Sequence, residues 1–161
     1  MQTIFTPWRF RYISMNNQDE GCFFCQAASS RDQADSLLVW RGEHHLVMLN
    51  RYPYTNGHLM IAPLEHIGDP RSSSPEARLE FWPLVLECQG ILSSVYSPDG
   101  FNMGLNLGSA GGAGVPSHYH FHVVPRWEGD TNFMTVLGGV RLVPEEPAQV
   151  AEKLRPLFAK E

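Results

Sequence analysis

The chain has 161 residues, 43% hydrophobic and 18% charged, with a formal net charge of -5, which is enough for one substantial core and a single globular domain over residues 1–161. The acidic balance and the lack of any basic run exclude general attraction to a nucleic-acid polymer, because neutralising a phosphate backbone needs clustered Lys and Arg. Charge or proline interrupts every apolar run before it reaches the length of a signal peptide or a membrane span, so the expectation is a cytoplasmic protein with no membrane partner.

The amino-terminal MQTIFTPWRFRYI leads into GCFFCQ, where Cys22 and Cys25 form a C-x-x-C pair. With Cys88 they make three cysteines, too few for a disulfide framework in a reducing compartment, and the pair is open to metal or redox chemistry. Residues 29–35 are small and polar and read as a loop. SLLVWRGEHHLVMLN carries two apolar runs split around Gly42 and Glu43, the pattern of a β-hairpin over about 37–50. RYPYTNG, with Pro53 and Asn56-Gly57, turns the chain, and HLMIAP resumes as a strand of the same sheet. His44 and His45 alternate faces, so the exposed one is a surface residue. His58, which opens the next strand, is either a core histidine or a partner that fixes the tautomer of another histidine.

DPRSSSPEARLEF supplies a helix start, with Ser74 as cap and Pro75 at the first helical position. The helix should reach about Tyr96 and bury residues such as Leu79, Trp82, Leu86 and Ile91. Pro83 inside it removes a backbone donor and predicts a kink or a later start. Cys88 reads as a small buried hydrophobe. GFNMGLNLG and HYHFHVVPRW are further strands, Trp127 and Phe133 pack either near a bound base or, the preferred reading, only at the sheet edge, and EEPAQVAEKLRPLFAK closes the chain as a short amphipathic helix. The sum is an α+β domain on an antiparallel sheet of about five strands with two main helices.

The chemistry concentrates in GAGVPSHYHFHVVPRW. On a strand His118, His120 and His122 share one face, with neighbouring Cα atoms roughly 6.5 to 7 Å apart. A neutral imidazole is a good nucleophile near pH 7 when a hydrogen bond fixes its second nitrogen. Just upstream, GLNLGSAGGAGVPS can aim backbone N–H groups at an anion, with Gly108, Gly111, Gly112 and Gly114 allowing close approach. Phosphoryl or nucleotidyl transfer, which depends on positioning and charge stabilisation, suits such a site. Two plainer readings stay open from the residues alone. The glycines form a turn, or the histidines bind a metal, although the outer pair lies about 13 Å apart along a strand and must lean inward to share one ion.

HYHFHVV at residues 118–124 resembles the His-φ-His-φ-His-φ-φ signature of the histidine triad (HIT) family of nucleotide hydrolases and transferases. FTPWRFRYI, GCFFC, VMLNRYPYTNGHLMIAP, FNMGLNLG and GAGVPSHYHFHVVPRWEGDTNFM are similar, in order, to blocks of its bacterial and archaeal branch, related to diadenosine tetraphosphate phosphorylases and the fragile histidine triad protein. The resemblance implies a HIT-like fold and assigns roles by position. His120 would attack the α-phosphate and become nucleotidyl-histidine, and His122 would bond the phosphate and help the departing group. Asn50 would meet the ribose hydroxyls, and Asn106 the phosphate or bridging oxygen. Backbone amides of Gly112, Ala113 and Gly114 would hold the non-bridging oxygens; some relatives carry Ser, Thr or Gln in this loop, where this chain has Ala113 and Gly114.

The same resemblance implies a structural zinc on Cys22, Cys25, His66 and His118, a closed tetrahedral set, and no organic cofactor. It also implies a homodimer with joined sheets, where a partner would cover apolar helix residues such as Trp82. The expected activity is cleavage of dinucleoside polyphosphates such as diadenosine tetraphosphate, or of related AMP derivatives, through a covalent nucleotidyl-histidine. The alternatives are a metal-dependent enzyme with triad ligands and a nucleotide-binding signalling module with incidental catalysis.

Overall fold

The structure, a computed structural model, describes residues 21–29, 37–139 and 142–158. The amino-terminal block MQTIFTPWRFRYI, the expected loop beyond Ser29 and the packing of the Phe133 side chain lie outside the described residues. In chain order the elements are α1 (Phe23–Ser29), β1 (Leu38–Arg41), β2 (His45–Leu49), β3 (Leu59–Pro63), a 3₁₀ turn (Pro70–Ser72), α2 (Pro75–Tyr96), β4 (Gly100–Leu105), β5 (Phe121–Arg126), α3 (Phe133–Gly138) and α4 (Pro147–Phe158). The strands form one antiparallel sheet of order β1-β2-β3-β5-β4. Among the described residues no helix is long and apolar enough to cross a membrane.

The expected hairpin closes where Gly42 N–H donates to the His45 carbonyl at 2.8 Å, and the register runs Arg41 against Leu46 and Trp40 against Val47. Alternation then divides the sheet into two faces. Val47, Leu49, Leu59, Ile61, Phe121 and Val123 pack on one side against Leu84, Val85 and Leu92 of α2 and Val150 and Leu154 of α4. Leu46, Met48, Met60 and Ala62 face the other way and are covered by Phe24 and Ala28 of α1. Because α1 is short, it caps the β1–β3 half of that second face, while His122, Asn102, Gly104 and Arg126 on the β5–β4 half line a cleft. The uneven cover of one sheet face is what places the site.

The capping signal is realised. Ser74 accepts from the Ala77 N–H and Pro75 begins α2, but the helix runs unbroken through Pro83, so no late start occurs. Pro83 lies on the exposed side, where the carbonyl it leaves unpaired can meet water. The predicted buried face is wrong in part. Leu79, Trp82 and Leu86 are 76%, 54% and 49% exposed, and Ala77, Leu84, Val85, Cys88 and Leu92 form the buried stripe instead. Both sets fit a helical period, and the sheet takes the second. Cys88 is fully buried, and desolvation pushes its thiol far above the ordinary range. Trp127 Nε1–H donates to the Tyr96 carbonyl at the end of α2.

Candidate active site and metal cluster

The three triad histidines do not sit on one strand. β5 begins at Phe121, so only His122 belongs to it. Upstream, the chain turns where His118 N–H donates to the Val115 carbonyl, and Tyr119 N–H ties it to the Ile67 carbonyl. That approach of residues 66–68 to residues 116–118 requires a glycine, since a Cβ on Gly68 would stand 2.6 Å from the Pro116 carbonyl oxygen. His66 and His118 are thereby brought together, with ring centroids 5.1 Å apart.

Each ring is fixed by what its other nitrogen touches. His118 Nε2 lies 2.8 Å from the Pro63 carbonyl oxygen. A carbonyl only accepts, so Nε2 carries the proton and Nδ1 presents a lone pair. That Nδ1 faces Cys22 Sγ at 3.3 Å and Cys25 Sγ at 3.6 Å, and Cys25 Sγ meets His66 Nδ1 at 3.2 Å. The four ligand atoms lie within 4.8 Å of one another. Tetrahedral zinc with ordinary bond lengths holds sulfur and nitrogen ligands about 3.5 Å apart, so the donor set and its spacing fit that ion. Burial and the neighbouring Cys22 thiol push the Cys25 thiol up, a penalty that a bound cation would reverse. His120 and His122 stand outside this cluster.

His120 Nδ1 lies 3.1 Å from the His118 carbonyl oxygen. By the same reasoning Nδ1 donates, and Nε2 keeps its lone pair. The ring is 6% exposed, between Phe24 at 4.9 Å and His122 at 5.0 Å, centroid to centroid. Burial holds its pKa below the ordinary value, offset in part by the bond to the His118 carbonyl. Burial thus favours the uncharged ring.

His122 is set through a relay. The Tyr54 N–H donates to His58 Nδ1 at 3.1 Å, and Asn50 Nδ2 approaches the same atom at 3.5 Å. His58 Nδ1 is therefore an acceptor, and its proton sits on Nε2, which lies 2.9 Å from His122 Nδ1. His122 accepts there and carries its own proton on Nε2. Burial first, and then the neighbouring His120, push its pKa down to about 4. The relay turns two adjacent imidazoles into opposites: His120 with a free lone pair on Nε2, His122 with an N–H.

Asn50 is buried beside His58, with Oδ1 accepting from the Tyr52 N–H at 2.9 Å. Asn106 lines the cleft with His122. In the glycine loop, Gly108 and Gly112 take positive φ values of 67° and 83°, and a Cβ on Gly111 would stand 2.3 Å from the Leu107 carbonyl oxygen. The Gly112 and Ala113 N–H groups donate within the loop, to the Ser109 and Gly108 carbonyls. The cleft has a volume of about 460 Å³. Tyr54, Arg126, Asp130 and Thr131 line it and were not singled out from the sequence, where PRWEGDT carries only an ordinary turn signal.

A five-stranded antiparallel sheet with this histidine arrangement defines a class, and the comparisons agree. The HIT domain family model matches residues 31–129, and the chain belongs to that family. The AP-4-A phosphorylase of Mycobacterium tuberculosis is 32% identical over 169 aligned positions, covering 100% of this chain and 84% of that protein. Protein hit of Bacillus subtilis is 30% identical over 108 positions, 67% of this chain and 72% of that protein. Among solved structures, a Zn-bound histidine triad family protein from Mycobacterium smegmatis superimposes with a TM-score of 0.68 at 27% identity, covering 86% of this chain and 94% of that one.

Proposed function

We propose that this protein cleaves dinucleoside polyphosphates, with diadenosine tetraphosphate as the leading substrate, by transferring a nucleotidyl group to His120. The observation that carries the proposal is the opposed pair of tautomers at His120 and His122. The His120 Nε2 lone pair attacks the α-phosphorus, a P–N bond forms, and the P–O bond to the rest of the polyphosphate breaks with its electron pair on the departing oxygen. His122 Nε2–H donates a hydrogen bond to that oxygen as its charge grows. Water or inorganic phosphate then attacks the same phosphorus and frees His120.

Asn106 bonds the phosphate or bridging oxygen. Asn50 reaches the ribose through the Nδ2 proton that does not point to His58. The loop amides of Gly112, Ala113 and Gly114 bind the non-bridging oxygens. For Gly112 and Ala113 this means exchanging the present intraloop carbonyls for phosphate, a change that the positive-φ glycines permit. Cys22, Cys25, His66 and His118 would hold zinc, which would tie α1 to the segment preceding β5 and supply no step of the chemistry. The 32% identity to a protein named AP-4-A phosphorylase supports the substrate. Leu79, Trp82 and Leu86, exposed at helical spacing on α2, form the apolar face for a homodimer.

The test is incubation with diadenosine tetraphosphate, with and without inorganic phosphate. AMP and ATP are expected in water, and ADP and ATP with phosphate. Intact substrate, or products from cleavage away from an α-phosphate, would contradict the reading.

A further inference from the structure

We propose that the cleft on the open face of β4 and β5 binds the leaving nucleoside of a dinucleoside polyphosphate, an inference that rests on the nucleotidyl transfer to His120 proposed above. The cleft starts at His122 and runs past Val124 to Arg126. These alternate residues of β5 share a face and span about 13 Å. A group expelled from phosphorus beside His122 therefore enters the cleft directly, and one long enough to reach Arg126 must carry a polyphosphate spacer.

The far wall is suited to sugar and base rather than to more phosphate. Its charged groups, Arg126 and Asp130, cancel through bonds from Nε and Nη2 of Arg126 to the two carboxylate oxygens. Those oxygens also accept from the Trp127 N–H and the Thr131 hydroxyl, both at 3.3 Å, which fills the carboxylate's acceptor sites. Arg126 Nη1 donates to Asn102 Oδ1 at 2.6 Å. Roughly three of the five guanidinium N–H groups are thus held by these residues, and about two are left for a ligand acceptor. The guanidinium plane is fixed, carries little net field beside its paired carboxylate, and still donates. A purine offers matching acceptors and a flat face for such a group. At the near end Tyr54 is 43% exposed, with its ring 5.9 Å from His122 and close to parallel with it, a surface along the path into the cleft.

Asp130 acts through Arg126 and is a positioning residue. Arg126 and Asn102 determine which leaving groups are favoured. Substrates with a second nucleoside gain from the cleft, and AMP derivatives with a small leaving group do not.

The experiment compares kcat/KM for diadenosine tetraphosphate and adenosine 5′-phosphoramidate in the wild type, in Thr131→Trp, which fills the cleft from an exposed position, and in Arg126→Leu. The ratio of the two values should fall about tenfold in each variant, carried by KM for the dinucleotide. A ratio that does not move would overturn the subsite, because the lost residues would then serve both substrates or neither. If the wild type turns over neither substrate, the functional reading fails separately, and calorimetric titration with ATP, the expelled half, decides the cleft. Weaker ATP binding in Thr131→Trp supports it, and equal affinity overturns it. Thermal unfolding of Thr131→Trp confirms that the variant is folded.

Discussion

His118 and His122 stand four residues apart in one short segment and do unlike things. His118 gives its Nε2 proton to a backbone carbonyl and turns its Nδ1 lone pair toward two thiols and a second imidazole. His122 has its Nδ1 filled by His58 and presents an N–H at the edge of an open cleft. The residue type is identical, and the atom that occupies the opposite ring nitrogen decides the role. His120, between them, takes the third combination and keeps Nε2 as a lone pair. Burial supports all three by keeping the rings uncharged.

The contrast can be broken most severely at its centre. His120→Ala should lower turnover by on the order of 10³-fold or more and remove the covalent adduct from acid-quenched samples analysed by intact mass, while the circular dichroism spectrum stays native. Normal turnover in that variant would end the proposal. At the metal end, Cys22→Ala or a strong chelator should release bound zinc and lower Tm by on the order of 10 °C. Adduct formation should persist in the fraction that remains folded. Loss of adduct from folded, chelated protein would move the chemistry to the metal instead.

His58 tests the relay. His58→Ala leaves His122 Nδ1 without its donor and frees the ring to choose either tautomer, so kcat should fall about 10- to 100-fold. His58→Gln, which can present an amide N–H to the same atom, should recover part of the loss; failure to recover would make His58 a packing residue.

The pH dependence follows from the same burial. His122, His120 and His45 all have folded pKa values below the unfolded 6.5, for His122 down to about 4. Each binds fewer protons folded than unfolded, so stability is full above pH 6.5 and is lost as pH falls through the window between 6.5 and the folded value. His122 alone should cost on the order of 2 kcal/mol at pH 4.5, reduced from the full shift because its ring meets solvent at the cleft. Urea unfolding at pH 7.5 and 4.5 measures it. The smallest effect belongs to the exposed face of α2. Trp82→Arg should change the stability of the isolated chain by less than about 0.5 kcal/mol, yet shift a dimer toward monomer in sedimentation velocity.

Much of this was legible in the residues. Ser74 and Pro75 fixed the start of α2 because capping is a local interaction. Gly42 and Asn56-Gly57 marked the turns of the first three strands for the same reason. The family motif pointed to Cys22, Cys25, His66 and His118, and the structure brings those four together. What sequence reasoning missed depended on distant partners. The buried stripe of α2 was misread because two apolar stripes fit one helical period and only the sheet chooses between them. Alternation puts His118, His120 and His122 on one strand, whereas β5 begins only at Phe121, after the turn that the His118 N–H to Val115 bond closes. α1 was hidden inside the ligand pair that drew attention to it. From its position alone His58 fits either a core role or a positioning role, and it fills both, being fully buried and bonded to His122.

The proposed chemistry at phosphorus depends on the tautomer at position 120, which nitrogen-15 NMR of the histidine side chains at pH 7 reads. The expected spectrum has a neutral ring protonated on Nδ1 at His120 and on Nε2 at His122. A His120 ring protonated on Nε2, or on both nitrogens, would leave no lone pair to attack phosphorus and would contradict it.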